Sequence, residues 1–179
     1  MDTFEKVTLA AVAFAARAHR HQLRKDGHTP YVAHPMRVAL IVRHLFGCAD
    51  TQVLAAALLH DVLEDTPTDY DDIAAEFGDQ IASWVAALSK DTRLPEAERE
   101  ARYCQQLQNA DWQVQLLKLA DMYDNLCDAH RLEPARRLPV LAKIRRYVEV
   151  LRPVAATSPA TREAFRHVEQ ALVQFEQSN

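Results

Sequence analysis

Glycine is scarce in this chain, with Gly27, Gly47 and Gly78 alone in 179 residues. A Gly-rich phosphate loop is therefore missing, as are most of the tight turns of hairpin-rich folds, so a doubly wound nucleotide-binding fold is disfavoured. Cys48, Cys104 and Cys127 are odd in number, far apart and in no C-x-x-C pair. That argues against a disulfide framework and a zinc ribbon, and the expectation is three small buried thiols. No apolar run approaches the roughly 20 residues of a membrane span. The N-terminal Met1-Asp2-Thr3-Phe4-Glu5-Lys6 has no basic segment followed by an apolar core, so the expected location is the cytoplasm. Basic charge is not in excess either: 21 Lys and Arg against 25 Asp and Glu give a net charge of −4. The broad basic surface of a nucleic-acid binder is absent, and a small anionic substrate would need a local basic patch.

What is present fits a soluble globular protein, with 49% hydrophobic and 26% charged residues. The length suits one domain with a full core, spanning 1–179. The reading is all-α, a bundle of about eight to ten helices. The first helix is expected at about 2–21, with Leu9, Val12, Ala13 and Ala16 facing inward. A loop holds residues 24–31. A second helix starts near His34-Pro35 and stops at Gly47. Asp50 or Thr51 can cap the next one, and Thr66-Pro67-Thr68 breaks the chain after Asp65. A short acidic helix at 70–77 ends at Gly78. Further helices are expected at about 79–90, 95–108, 112–130 and 135–151, and a C-terminal one at 158–178 with Ser158 as cap. Phe165, Val168, Leu172 and Phe175 form a stripe there that packs on the body, although the contact of a homo-oligomer would look the same.

The chemistry gathers at residues 60–65, His-Asp-Val-Leu-Glu-Asp. On a helix of about 100° per residue, His60, Asp61, Glu64 and Asp65 fall within an arc of roughly 140°. The run 53–59 before them is apolar all round, as in a buried helix. Three carboxylates there would repel one another and resist ionisation unless something cationic sat among them, and a divalent metal is the simplest remedy. His34 stands upstream in Tyr31-Val32-Ala33-His34-Pro35, and Asp121 lies in an apolar segment, sharing a face of about 60° with Lys118 and Asn125. A buried aspartate needs a partner. On the residues alone, a metal ligand and a surface Lys118–Asp121 ion pair stand level for Asp121. Arg17, Arg20, Arg24 and Lys25 make a basic patch with one acid, Asp26. Such a run is more often a solvated helix end, but its place just before Tyr31 turns the reading towards phosphate binding.

The order Tyr-x-x-His-Pro, His-Asp-x-x-Glu-Asp and Lys-Leu-Ala-Asp-x-x-x-Asn, preceded by Arg24-Lys25-Asp26-Gly27, resembles the HD-domain hydrolases of the RelA/SpoT group. The likeness is strongest to its free-standing small alarmone hydrolases, including metazoan SpoT homologues, and covers about residues 5–150. It implies an HD-type helical bundle in which His34, His60, Asp61 and Asp121 hold one divalent ion, Mn²⁺ above others. By the same likeness Glu64 and Asp65 are the catalytic pair that positions and deprotonates water. Arg24 and Lys25 would meet base and phosphates and Asn125 the sugar, with Tyr31 and Lys118 completing the substrate contacts. The implied reaction removes the 3′-pyrophosphate from (p)ppGpp or (p)ppApp, by a stand-alone degrader without a synthetase domain.

The chain departs from the group's pattern after Asp121. A basic residue, then His or Tyr before Asn, then Arg are usual there, whereas Met122, Asp124 and Cys127 stand in those places. Less positive charge and an added carboxylate near the nucleotide are expected to alter which base is accepted. Two further readings share the same residues: a phosphohydrolase of another nucleotide phosphate, such as the 2′-phosphate of NADPH, and a non-catalytic alarmone-binding module. A metal-free helical scaffold is the third. Intact Glu64, Asp65 and all four candidate ligands argue against the binding module.

Overall fold

The computed structural model describes residues 3–177. In chain order the helices are α1 (Thr3–Ala18), α2 (Ala33–Leu40), α3 (Thr51–Leu59), α4 (Val62–Asp65), α5 (Tyr70–Phe77), α6 (Asp79–Leu88), α7 (Glu96–Asn109), α8 (Trp112–Ala129), α9 (Pro134–Leu151) and α10 (Pro159–Gln177). Among the described residues there is no strand, only an isolated bridge between Leu23 and Pro30 that closes the loop before α2. The all-α expectation holds, and the expected helix ends at Asp2 and Ser178 lie outside the described residues.

The apolar run at 53–59 forms most of α3 and is buried on every side. Asp50 is its cap, with its carboxylate accepting from the Gln52 and Val53 N–H groups. Helices α1, α2, α6 and α8 pack around α3. The second buried helix is α8, covered on its outer side by α10, whose Phe165, Val168, Leu172 and Phe175 are all buried within this chain. Helices α7 and α9 pack on each other and on α8, and so wall off one end of the bundle.

Four expectations need correction. The buried face of α1 is Thr8, Ala11 and Ala15, continued by His19, while Leu9 is 54% exposed and Ala13 and Ala16 face solvent. Small side chains let α1 approach α3 closely, so the alanines win the inner face over the larger leucine. The hexad does not continue one helix: α3 ends at Leu59, His60 and Asp61 form a turn, and α4 restarts at Val62. The His60 ring accounts for the break, since its Nδ1–H donates to the carbonyl of Ala57 three residues back and competes with helical bonding there. The helix running towards Gly47 changes at Leu40 into a π-helical turn, Ile41–Leu45, and Gly47 closes it with φ of 70°. Finally, Cys127 is exposed and Cys48 and Cys104 are partly so, rather than buried.

Candidate active site

His34 comes from the first turn of α2, His60 and Asp61 from the turn after α3, and Asp121 from the middle of α8. Ligand atoms of His34, His60 and Asp121 lie within 4.8 Å of one another. The Oδ2 of Asp61 is 3.1 Å from His60 Nε2 and 3.4 Å from His34 Nε2, and Asp121 Oδ1 is 3.3 Å from His34 Nε2. Both rings are turned by their other nitrogen. His60 Nδ1 must carry a proton, because the Ala57 carbonyl at 2.8 Å can only accept. His34 Nδ1–H donates to Asp124 Oδ2 at 2.7 Å. Both Nε2 atoms thus face a common centre. His60 Nε2 is buried there with Asp61 Oδ2 at 3.1 Å but no well-directed hydrogen bond, an arrangement that suits a shared cation. Two imidazoles and two carboxylates fit a divalent transition ion.

The electrostatics point the same way. Burial acts to lower His34, but its bonds to Asp121, Asp124 and Asp61 outweigh burial and hold the imidazole well above its usual value. His60 is raised by Asp61 against the same opposing burial. Burial would raise the two carboxylates, yet His60 and His34 keep Asp61 well below its usual range, and Lys118 with His34 does so for Asp121. Lys118 Nζ donates to Asp121 Oδ2 at 2.8 Å and Asn125 Nδ2 to Oδ1 at 2.5 Å. The Lys118–Asp121 pair exists, then, but inside the protein.

Glu64 and Asp65 behave differently. Burial raises both, assisted at Asp65 by the charge of Asp61. Glu64 accepts from the backbone N–H of Lys90 at 3.1 Å. The Tyr31 hydroxyl lies 2.7 Å from Asp61 Oδ2 and 3.0 Å from Asp65 Oδ2, so it ties a candidate ligand to a candidate base. Burial and those two charges keep the phenol protonated.

The residues to which the resemblance assigns ligand, catalytic or substrate roles all line one cavity of about 290 Å³. Not all are free to act. Arg24 is bound to Asp128 at 2.8 and 3.0 Å and to Asn125 Oδ1 at 3.2 Å, while Arg17 and Arg20 face solvent away from the cavity. Asp124 does not line the cavity either: it is buried beneath it, and of the three departures from the group's pattern only Met122 reaches the wall. The positive charge of the cavity comes from other parts of the chain. Lys90 follows α6 and Lys143 lies on α9, and with Lys25 and Lys118 they line the same cavity as the carboxylates, Lys118 in contact with Asp121 itself. Lys90 Nζ bonds Glu100 at 2.6 Å, and Tyr103 and Tyr147 lie under the ammonium groups of Lys90 and Lys118 at 4.7 to 5.5 Å. Burial lowers Lys90 to about 8, with Glu100 opposing and Lys143 assisting. Sequence reasoning missed the part of this wall that Lys90, Lys143, Tyr103 and Tyr147 form. Its one local signal was the four-residue spacing of Lys143 and Tyr147 on α9.

The profile of the HD domain matches residues 11–155. The chain belongs to the HD-domain family. This HD-domain protein is 38% identical to the Homo sapiens guanosine-3′,5′-bis(diphosphate) 3′-pyrophosphohydrolase MESH1 over 89% of its own length and 91% of that protein's. It is 34% identical to the bifunctional (p)ppGpp synthase/hydrolase SpoT of Escherichia coli over 81% of this chain, though only 21% of SpoT. A solved structure, described as a metazoan orthologue of SpoT that hydrolyses ppGpp, superposes with a TM-score of 0.83 and 28% identity, covering 97% of this chain and 96% of the other. The family resemblance read from the ordered motifs is borne out.

Proposed function

We propose that this HD-domain protein is a Mn²⁺-dependent 3′-pyrophosphohydrolase of alarmone nucleotides, (p)ppGpp or (p)ppApp, which releases pyrophosphate and the nucleoside 5′-phosphate. One observation carries the reading: the His34, His60, Asp61 and Asp121 cluster, the raised carboxyls of Glu64 and Asp65, and four lysines share a single cavity. A bis-diphosphate nucleotide is a small polyanion, and this cavity sets four lysines among its carboxylates.

A divalent ion held by His34, His60, Asp61 and Asp121 would supply charge neutralisation at the phosphate and a lowered pKa for water. The protein's own groups do the rest. Glu64 and Asp65, whose carboxyls burial raises above their ordinary range, take the proton as the water oxygen bonds to phosphorus and the bond from phosphorus to the 3′-oxygen breaks. The departing ribose oxygen ends protonated. Tyr31 keeps Asp65 turned towards Asp61, and Lys25, Lys90, Lys118 and Lys143 oppose the phosphate charge. Arg24 and Asn125, already fixed to each other, offer a preorganised guanidinium and amide for the nucleoside. We infer a single domain over 1–179 acting in the cytoplasm without nucleic-acid or membrane partners. Among the described residues no helix is long and apolar enough to cross a membrane.

The test is a panel of ppGpp, pppGpp, ppApp, pppApp and NADPH with Mn²⁺ and products separated. Pyrophosphate release that stops on chelation is expected. Inactivity of metal-loaded protein on all four alarmones, orthophosphate release from NADPH alone, or tight alarmone binding without turnover would overturn the reading.

A further inference from the structure

Asp124 is 1% exposed and lies under the floor of the cavity, one turn beyond Asp121 on α8. Each oxygen of its carboxylate has a different duty. Oδ2 accepts from His34 Nδ1–H at 2.7 Å, and Oδ1 lies 2.6 Å from Arg37 Nε. His34 and Arg37 are three residues apart on α2, on the same face, so one carboxylate of α8 is gripped twice by one turn of α2. The second nitrogen of Arg37 reaches Asp128 Oδ1 at 2.7 Å and locks the guanidinium in turn. A fixed acceptor at Nδ1 decides three things about the ring: which nitrogen carries the proton, where Nε2 points, and how basic Nε2 is. An amide could not replace it. Both neighbours are donors, and asparagine offers one acceptor oxygen.

Resting on the reading of His34 as a metal ligand, we infer that Asp124 is a positioning residue, which through the His34–Asp124–Arg37 relay sets the tautomer and aim of His34 Nε2 for a divalent ion. The carboxylate that the sequence placed beside the nucleotide acts instead on the metal centre.

Mn²⁺ binding to the full chain, followed by loss of the free-ion electron paramagnetic resonance signal, tests this with Asp124→Asn, Arg37→Gln and His34→Ala beside the wild type. Asp124→Asn is expected to weaken Mn²⁺ binding about 10- to 100-fold, the usual cost of losing a partner that orients a ligand. Arg37→Gln, which leaves the His34–Asp124 bond in place, weakens it less, and His34→Ala abolishes it. In metal-free wild type, at a pH where the ring is neutral, the long-range ¹H–¹⁵N spectrum is expected to show His34 protonated at Nδ1; that measurement decides the matter should Asp124→Asn not fold. A His34 ring protonated at Nε2 overturns the inference. So does a folded Asp124→Asn protein with wild-type Mn²⁺ affinity and only a lowered melting temperature. Wild-type affinity in His34→Ala, or none in the wild type, removes the metal-ligand reading itself, and the inference with it.

Discussion

Asp65 is the residue at which activity and stability are expected to part. Its carboxyl is raised by burial and by Asp61, so the base is formed above the ordinary carboxylate range and activity climbs with pH through that region. The same raised value means that the fold favours the neutral acid, a contribution present below the ordinary carboxylate pKa and lost as pH rises through the folded one. Asp65 is solvent-exposed in part, so Asp65→Asn removes a partly desolvated charge at neutral pH. It should lower kcat by about 10²- to 10⁴-fold, the usual share of a general base, while chelated protein melts no lower than wild type by circular dichroism. The alkaline side is assigned to Lys90, lowered to about 8. Above that pH it loses its charge, so KM for a polyphosphate substrate should rise between pH 8 and 9.5, and Lys90→Met should flatten the rise. Asp65 was legible because its neighbours in sequence are its neighbours in space. Lys90 was not: burial, then Lys143 and Lys118, depress it against the opposing Glu100, and these groups come together only when α7, α8 and α9 pack.

At the scale of the elements, punctuation proved more readable than faces. Gly47, Gly78, Pro159 and the Thr66-Pro67-Thr68 break all mark real helix ends, because glycine and proline act through local backbone geometry. The inner face of α1 was misread because an alanine-rich partner reverses the usual preference for large apolar residues inside. The broken hexad was misread because helical periodicity takes no account of a side chain bonding to its own backbone. Asp50 gives this level its test. It satisfies two N–H groups at the start of α3, far from the cavity lining. Asp50→Ala should cost about 0.5–2 kcal/mol in urea unfolding. Since α3 leads directly into His60, unchanged kcat in the folded variant would show that packing, rather than the cap, holds the turn after Leu59.

At the scale of the whole molecule, the candidate ligands span three separate pieces of chain, from α2 through the turn after α3 to α8, and only the completed bundle brings them together. An ion bound there links those pieces in the folded state and has no comparable site in the unfolded one. The linkage can be put in numbers. At a free ion concentration 100 times Kd, the native state gains about 2.7 kcal/mol, which for a domain of this size raises Tm by about 5–10 °C. Added Mn²⁺ should therefore shift the melting curve upward with concentration and a chelator should return it. The shift should shrink as pH falls, because the raised pKa values of His34 and His60 mean that protons compete for the same Nε2 atoms. His60→Ala should abolish the dependence on Mn²⁺ at every pH. A shift that survives in His60→Ala, or one that grows on acidification, would place the stabilising ion somewhere other than this cluster.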